Sequence, residues 1–247
     1  MTAAVLVHGL YHQPEHFAAV AERLRVRGVD VAVPELHRGS LRADTAAVQA
    51  AVDELPEPPV LLGHSYGGSV ITGVGGARHL VYLAAFVPDV GESAAALGGA
   101  SRELRAAIVP VAGGSTVLHT GRAADVLYGD CPDPAASRAV GLLREQGAGC
   151  GRGVPERQSW KGAASTYVVC AQDRAVDPAL QRELAARCTG VREWRTGHSP
   201  FVGHPRLVAD LVLELLGADV RGGPCPGEGD VPPPVRPDGR GGRATRP

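Results

Sequence analysis

The stretch Val60-Leu61-Leu62-Gly63-His64-Ser65-Tyr66-Gly67-Gly68 decides how the rest of the chain is read. Val60-Leu61-Leu62 is an apolar run of the kind that makes a buried strand. It passes through Gly63-x-Ser65-x-Gly67 into residues 68–74, small and apolar enough to be only a tightly packed helix or loop. In that setting G-x-S-x-G holds a serine on a sharp, strained bend with its Oγ exposed above the sheet. The glycines answer a steric need, because side chains two residues either side of the serine would collide where strand and helix nearly touch. Five residues alone would equally fit a glycine-rich turn with an incidental serine, so the partners elsewhere in the chain carry the weight.

Upstream, Ala3–Val7 is a short apolar strand ending in His8-Gly9-Leu10. Pro14 opens a helix whose Phe17, Val20, Ala21 and Leu24 follow i, i+3, i+4, i+7, with Gly28 as its stop. Residues 29–33 form a second strand closed by Pro34, and Asp44 caps a helix carrying Val48, Val52 and Leu55 on one face. Downstream, residues 79–87 are the longest strand-like run, ended by Pro88-Asp89. Strands alternating with helices at this spacing predict βαβ units and a mostly parallel twisted sheet covered by helices on both faces.

From residue 91 to about 162 the pattern breaks down, with residues 125–128 and 134–143 as the only helical pieces. Residues 166–170 restore the strand signal, and Gln172-Asp173-Arg174 follows. Asp177-Pro178 reads as the N-cap and first position of a helix to Arg187. A last strand at 191–194 leads to Thr196-Gly197-His198-Ser199-Pro200, and a final helix over 205–216 carries Leu207, Val208, Leu211, Val212 and Leu215 on one side. The expected organisation is a core of residues 1–88 and 163–217, a small cap insertion at 89–162, and a Pro/Gly/Arg-rich tail at 218–247 too poor in apolar surface to order itself.

With 247 residues the chain suits one α/β domain with a small cap. A net charge of −1 gives no electrostatic case for nucleic acid or an anionic membrane. The five cysteines are odd in number, widely spaced and without C-x-x-C, which argues against a disulfide framework or zinc site and fits a reducing cytosol. No run reaches the roughly 18–20 apolar residues of a membrane span, and Met1-Thr2 leads straight into a strand with no signal-like segment, so a cytoplasmic location is expected. An assembly of two copies is compatible with the sequence. Nine histidines invite a metal reading, but no H-E-x-x-H or similar spacing exists, and neither metal nor cofactor is expected.

A serine hydroxyl is a poor nucleophile until a base takes its proton, and the base needs an orienting acid. In a parallel sheet those groups belong on loops at the carboxyl ends of strands. Asp173 follows one predicted strand and His198 the next, giving the order Ser65…Asp173…His198. Asp177 competes for the acid but already serves as an N-cap. The oxyanion would be held by the backbone N–H of Tyr66 and by one from His8-Gly9-Leu10, that of Leu10. His8 and His64 are read as scaffold supporting these loops. His12 and His16 stand near the site's mouth, and Tyr11, His12, Phe86, Tyr128 and Trp160 are candidates to line the substrate pocket.

On Val5-Leu6-Val7-His8-Gly9, Gly63-His64-Ser65-Tyr66-Gly67-Gly68, Leu80-Val81-Tyr82-Leu83, Thr166-Tyr167-Val168-Val169-Cys170 with Asp173, and Gly197-His198-Ser199-Pro200-Phe201, the chain resembles the small α/β-hydrolases. The branch it is most similar to holds plant methylesterases, hydroxynitrile lyases and salicylate-esterase-like proteins. That resemblance implies an α/β-hydrolase fold and a cofactor-free serine enzyme acting on small esters. The lyases carry a threonine where Gly9 stands and a lysine where Ser199 stands, so esterase chemistry gains over lyase chemistry. A second reading keeps the triad for lactone or thioester cleavage, cyclisation or acyl transfer in a biosynthetic pathway. A third is a ligand-binding protein that uses the pocket without turnover.

Overall fold

The computed structural model describes residues 2–36, 39–147 and 149–217, so the expected tail at 218–247 lies outside them. Strands β1 (Ala3–Val7), β2 (Asp30–Ala32), β3 (Val60–His64), β4 (His79–Leu83), β7 (Ser165–Cys170) and β8 (Gly190–Trp194) form one sheet. Its order is β2-β1-β3-β4-β7-β8, every pairing parallel.

Period-two alternation assigns each strand residue to a face. Val5, Val7, Leu61, Leu80, Tyr82, Tyr167 and Val169 enter one buried cluster. Ala4, Leu6, Val60, Leu62, Val81, Leu83, Val168 and Cys170 enter the other. Helices α2 (Leu41–Asp53), α3 (Tyr66–Thr72) and α7 (Pro178–Ala185) bury Val48, Val52, Val70, Ile71 and Leu184 in the first. Helices α1 (Ala18–Val26), α8 (Pro200–Gly203) and α9 (Pro205–Leu216) fill the second with Val20, Leu24, Phe201, Val208 and Val212. The inner strands β1, β3, β4 and β7 are buried on both faces, as a parallel sheet between helical layers requires, while the edge strands β2 and β8 are partly exposed.

Between β4 and β7 lie α4 (Arg102–Ala107), the antiparallel pair β5 (Ile108–Pro110) and β6 (Thr116–Leu118), α5 (Thr120–Leu127) and α6 (Asp133–Gly141). They form a third cluster with Ala107, Leu118, Leu127 and Tyr128, into which Tyr11 of the core also packs. We refer to these elements as the cap.

Three expectations are corrected. Asp44 does not cap α2: Ser40 does, its side chain accepting from the Ala43 N–H at 3.2 Å, while Asp44 lies in the first turn, wholly buried, and accepts from the Tyr66 hydroxyl at 2.8 Å. The longest strand run stops at Leu83, because Ala84 turns into the left-handed region at φ 47°. Helix α4 and the β5–β6 hairpin escape the sequence reading because six- and three-residue elements are too short to show a period. Among the described residues no helix is long and apolar enough to cross a membrane.

Candidate active site

Ser65 joins β3 to α3 with φ 54° and ψ −120°, outside the regions an L-residue favours. Such a conformation costs about 1–3 kcal/mol and persists only when its surroundings over-determine it. They do so here. The Ser65 N–H donates to Leu83 O at 3.1 Å, and its carbonyl accepts from the N–H groups of Gly68 (3.0 Å) and Phe86 (3.1 Å). A Cβ on Gly63 would come within 2.5 Å of Gly67 O, and one on Gly67 within 2.6 Å of Val7 O, so strand and helix meet only because both are glycine.

Asp173 lies just past the end of β7, buried, with four donors converging on its carboxylate. Oδ1 accepts from the N–H groups of Ala175 (2.7 Å) and Val176 (3.0 Å), and Oδ2 from Gln181 Nε2 and His198 Nδ1, both at 2.7 Å. The His198 ring is thereby fixed with its proton on Nδ1 and is 2% exposed. Its loop is held from both sides: His64 Nε2 donates to His198 O at 3.0 Å, and the Gly197 N–H to Asp130 Oδ2 of the cap at 2.6 Å. Among the described residues no hydrogen bond joins the Ser65 hydroxyl to His198. Both groups open onto one cavity, and such contacts are commonly loose before substrate binds.

Gly9 runs so close to the bend that a Cβ there would lie 3.0 Å from Ser65 Cβ. The loop that follows is pinned by neutral imidazoles. His8 Nε2 accepts from the Leu36 N–H (3.3 Å), leaving Nδ1–H to donate to Gly9 O (2.9 Å). His12 Nε2 accepts from the Tyr128 hydroxyl (3.0 Å), leaving Nδ1–H to donate to Leu10 O (3.0 Å). In a trans peptide N–H and C=O point oppositely, so engaging Gly9 O turns the Leu10 N–H away from His8. Tyr66, first residue of α3, carries one of the N–H groups no carbonyl within the helix can take. Burial, with the Asp44 carboxylate beside it, pushes its phenol far up, which keeps the hydroxyl a donor.

The cavity has a volume of about 180 Å³ and is lined by Leu10, Tyr11, His12, Ser65, Tyr66, Phe86 and His198, with an apolar wall of Leu104, Ile108, Leu127 and Val176. A larger depression of about 630 Å³, near Thr2 and Arg78 at the amino ends of the strands, is shallow and holds none of these groups.

Ser65, His198, Leu10, Tyr66, Tyr11, His12 and Phe86 thus converge, with Asp173 directly behind His198. Two expected pocket residues do not line the cavity. Tyr128 stands behind the His12 ring, its hydroxyl spent on Nε2, and its neighbour Leu127 takes the wall. Trp160 packs against the core at the cap junction, its indole N–H donating to Pro88 O at 3.1 Å. His16 is buried too, its Nε2 donating to Ala139 O at 3.0 Å.

Sequence reasoning missed Gln181 and Asp130. Gln181 is wholly buried, gives Nε2 to Asp173 and takes the Cys170 N–H on Oε1 (2.9 Å). A lone glutamine in a predicted helix carries no signal of such a role. Among the described residues no cluster of three or more His, Cys, Asp or Glu has an arrangement that could hold a metal.

A family model described as "Alpha/beta hydrolase family" matches residues 4–211. The chain belongs to that family. Over 241 residues it is 27% identical to the alpha/beta hydrolase nvfD of Aspergillus novofumigatus, covering 87% of this chain and 96% of that one. It is 36% identical over 115 residues to a carbendazim hydrolyzing esterase of Nocardioides, covering 39% of this chain and 47% of the relative. In structure it is similar to a pyrethroid hydrolase from Sphingobium faniae, with a TM-score of 0.75, 20% identity, and 88% and 98% of the two chains covered. It is likewise similar to a methylesterase from Arabidopsis, with a TM-score of 0.75, 16% identity, and 88% and 99% covered. At those identities the structural likeness speaks for the fold. Family and relatives together make this protein a hydrolase.

Proposed function

We propose that this hydrolase cleaves small, neutral carboxylic esters through an acyl-enzyme on Ser65. The observation that carries the reading is the Asp173–His198 contact at 2.7 Å beside a serine held at φ 54°, with serine and histidine on one cavity. With its proton on Nδ1, His198 offers Nε2 as the base that takes the Ser65 proton during attack on the ester carbonyl. The N–H groups of Leu10 and Tyr66 donate hydrogen bonds to the developing oxyanion. His198 then protonates the leaving alcohol and activates a water that releases the acid. Asp173 stabilises the imidazolium in both steps.

The cavity supports a compact, uncharged acyl group. Its wall is mainly apolar, and among the described residues no Arg, Lys, Asp or Glu lines it. A substrate carboxylate would be buried there without a countercharge, at a cost of several kcal/mol. The esterase names of the relatives accord with this, though substrates named for them remain theirs.

The test is hydrolysis of p-nitrophenyl acetate and butyrate by the native chain, Ser65→Ala and His198→Ala. Both variants should lose at least ~10³-fold in kcat while remaining folded. An ester whose acyl chain ends in a carboxylate should be turned over far more slowly than butyrate. Activity surviving in Ser65→Ala would sink the mechanism, and equal rates on charged and neutral esters would sink the substrate class. A single burst without turnover would instead assign the acyl group to an acceptor other than water.

A further inference from the structure

Among the described residues Tyr11 is one of three non-glycine residues with positive φ, at 64°, and it directly follows Leu10. Leu10 and Tyr11 form a turn, and positive φ suits its third position. The cap grips that turn through contacts on three sides of Tyr11. The Arg144 N–H donates to Tyr11 O at 2.9 Å, the Tyr11 N–H donates to Gln146 Oε1 at 3.4 Å, and the Tyr11 hydroxyl shares a hydrogen bond with Thr116 Oγ1 at 2.9 Å. The gripping residues are themselves tied together. Thr116 and Gln146 exchange both backbone hydrogen bonds, at 3.0 and 2.8 Å, and Gln146 Nε2 donates to Cys150 Sγ at 3.3 Å. Gln146 is 4% exposed, so its amide is committed to these contacts rather than to water.

The consequence lies one residue upstream. His8 fixes the Gly9 carbonyl from the core, His12 fixes the Leu10 carbonyl from within the loop, and the cap fixes both ends and the side chain of Tyr11. Leu10 is therefore held between two bodies, and its N–H direction depends on the cap being seated. From this we propose that Tyr11 is a positioning residue: the cap, through Thr116 and Gln146, locks it in the left-handed conformation that aims the Leu10 N–H at the reacting carbonyl. The inference rests on the Ser65 mechanism. It makes the cap a condition for oxyanion stabilisation as well as a wall for the substrate.

The experiment uses Gln146→Met, which keeps the side chain's shape and removes the acceptor, and Thr116→Val with Thr116→Ser as the conservative partner. Neither Gln146 nor Thr116 lines the cavity, so substrate contact is undisturbed. Gln146→Met should lower kcat on p-nitrophenyl butyrate on the order of tenfold or more with KM little changed, as expected of a displaced donor. Binding of a trifluoromethyl ketone, which forms a tetrahedral oxyanion on the serine, should weaken by a similar factor. Thr116→Val should lower kcat and Thr116→Ser should restore it. Combined with Tyr11→Phe, Thr116→Val should add nothing further, because both remove the same bond.

Circular dichroism and labelling of Ser65 by a fluorophosphonate are run beside each variant. If the native chain does not label, the Ser65 mechanism itself has failed. If it labels while folded Gln146→Met and Thr116→Val keep native kcat, or change only KM, the positioning role is overturned. Should Gln146→Met fail to fold, Thr116→Val and its rescue by serine decide the matter alone.

Discussion

Gln181 makes a direct prediction about single side chains. Its amide bonds the Asp173 carboxylate and a strand N–H at once, so replacing it with methionine leaves the Cys170 N–H buried without a partner and Asp173 one donor short. A lost buried hydrogen bond of this kind costs about 1–3 kcal/mol. Gln181→Met should lower the denaturation midpoint accordingly and reduce kcat through a looser imidazole. An unaltered midpoint in urea would mean that water or a rotated neighbour replaces the amide. The groups proposed to react were legible in the sequence, because Ser65 and Asp173 each follow an apolar strand and His198 follows Gly197 just after the last one. Their supports were not, since Gln181, Asp130 and Gln146 act from helices and cap loops whose positions follow only from tertiary packing.

At the scale of elements, the bend at Ser65 is bought by the contact of β3, α3 and β1. Gly67→Ala would set a methyl 2.6 Å from Val7 O, and backbone on both sides leaves nowhere to yield. Stability should fall by about 3 kcal/mol, the upper range for overpacking, with activity lost even where the chain still folds. A native midpoint together with native kcat would contradict the close packing. By contrast Ser40→Ala removes only the cap of α2 and should cost about 1 kcal/mol in the same assay. The main strands and the final helix were readable because their apolar periods run five to twelve residues; α9 spans Pro205–Leu216 as its pattern implies. The N-terminus of α2 misled because Ser40 and Asp44 are both good capping types, and only burial separates them. Cap elements of three to six residues lie below the length at which period is informative.

The whole molecule carries a pH dependence. Burial holds His12 and His64 well below the ordinary value of 6.5, neighbouring histidines lower them further, and burial lowers His16 as well. The unfolded chain then binds protons that the native one refuses. Stability conferred by these groups is present in full above about pH 6.5 and declines as pH falls below it, by up to ~1.4 kcal/mol per pH unit for each histidine. Melting temperature should therefore drop steeply between pH 6.5 and 5, and His64→Asn should flatten the slope by about one proton. A melting temperature constant over that range would refute the assignment.

The strand order has a further consequence in time. Strands β1 to β4 pair within the first third of the chain, whereas β7 must find β4 after more than eighty intervening residues, and β8 closes the sheet last. Contacts of such long sequence separation form slowly, because loop closure is paid for before pairing rewards it. Ser65 therefore belongs to the part that can collapse early, and Asp173 and His198 to the part that docks late. During refolding, fluorescence of Trp194 on the edge strand and recovery of esterase activity should rise together in the slowest phase, after most secondary structure has formed. On the ribosome the same order would leave the bend at Ser65 without His198 until the final strand is made.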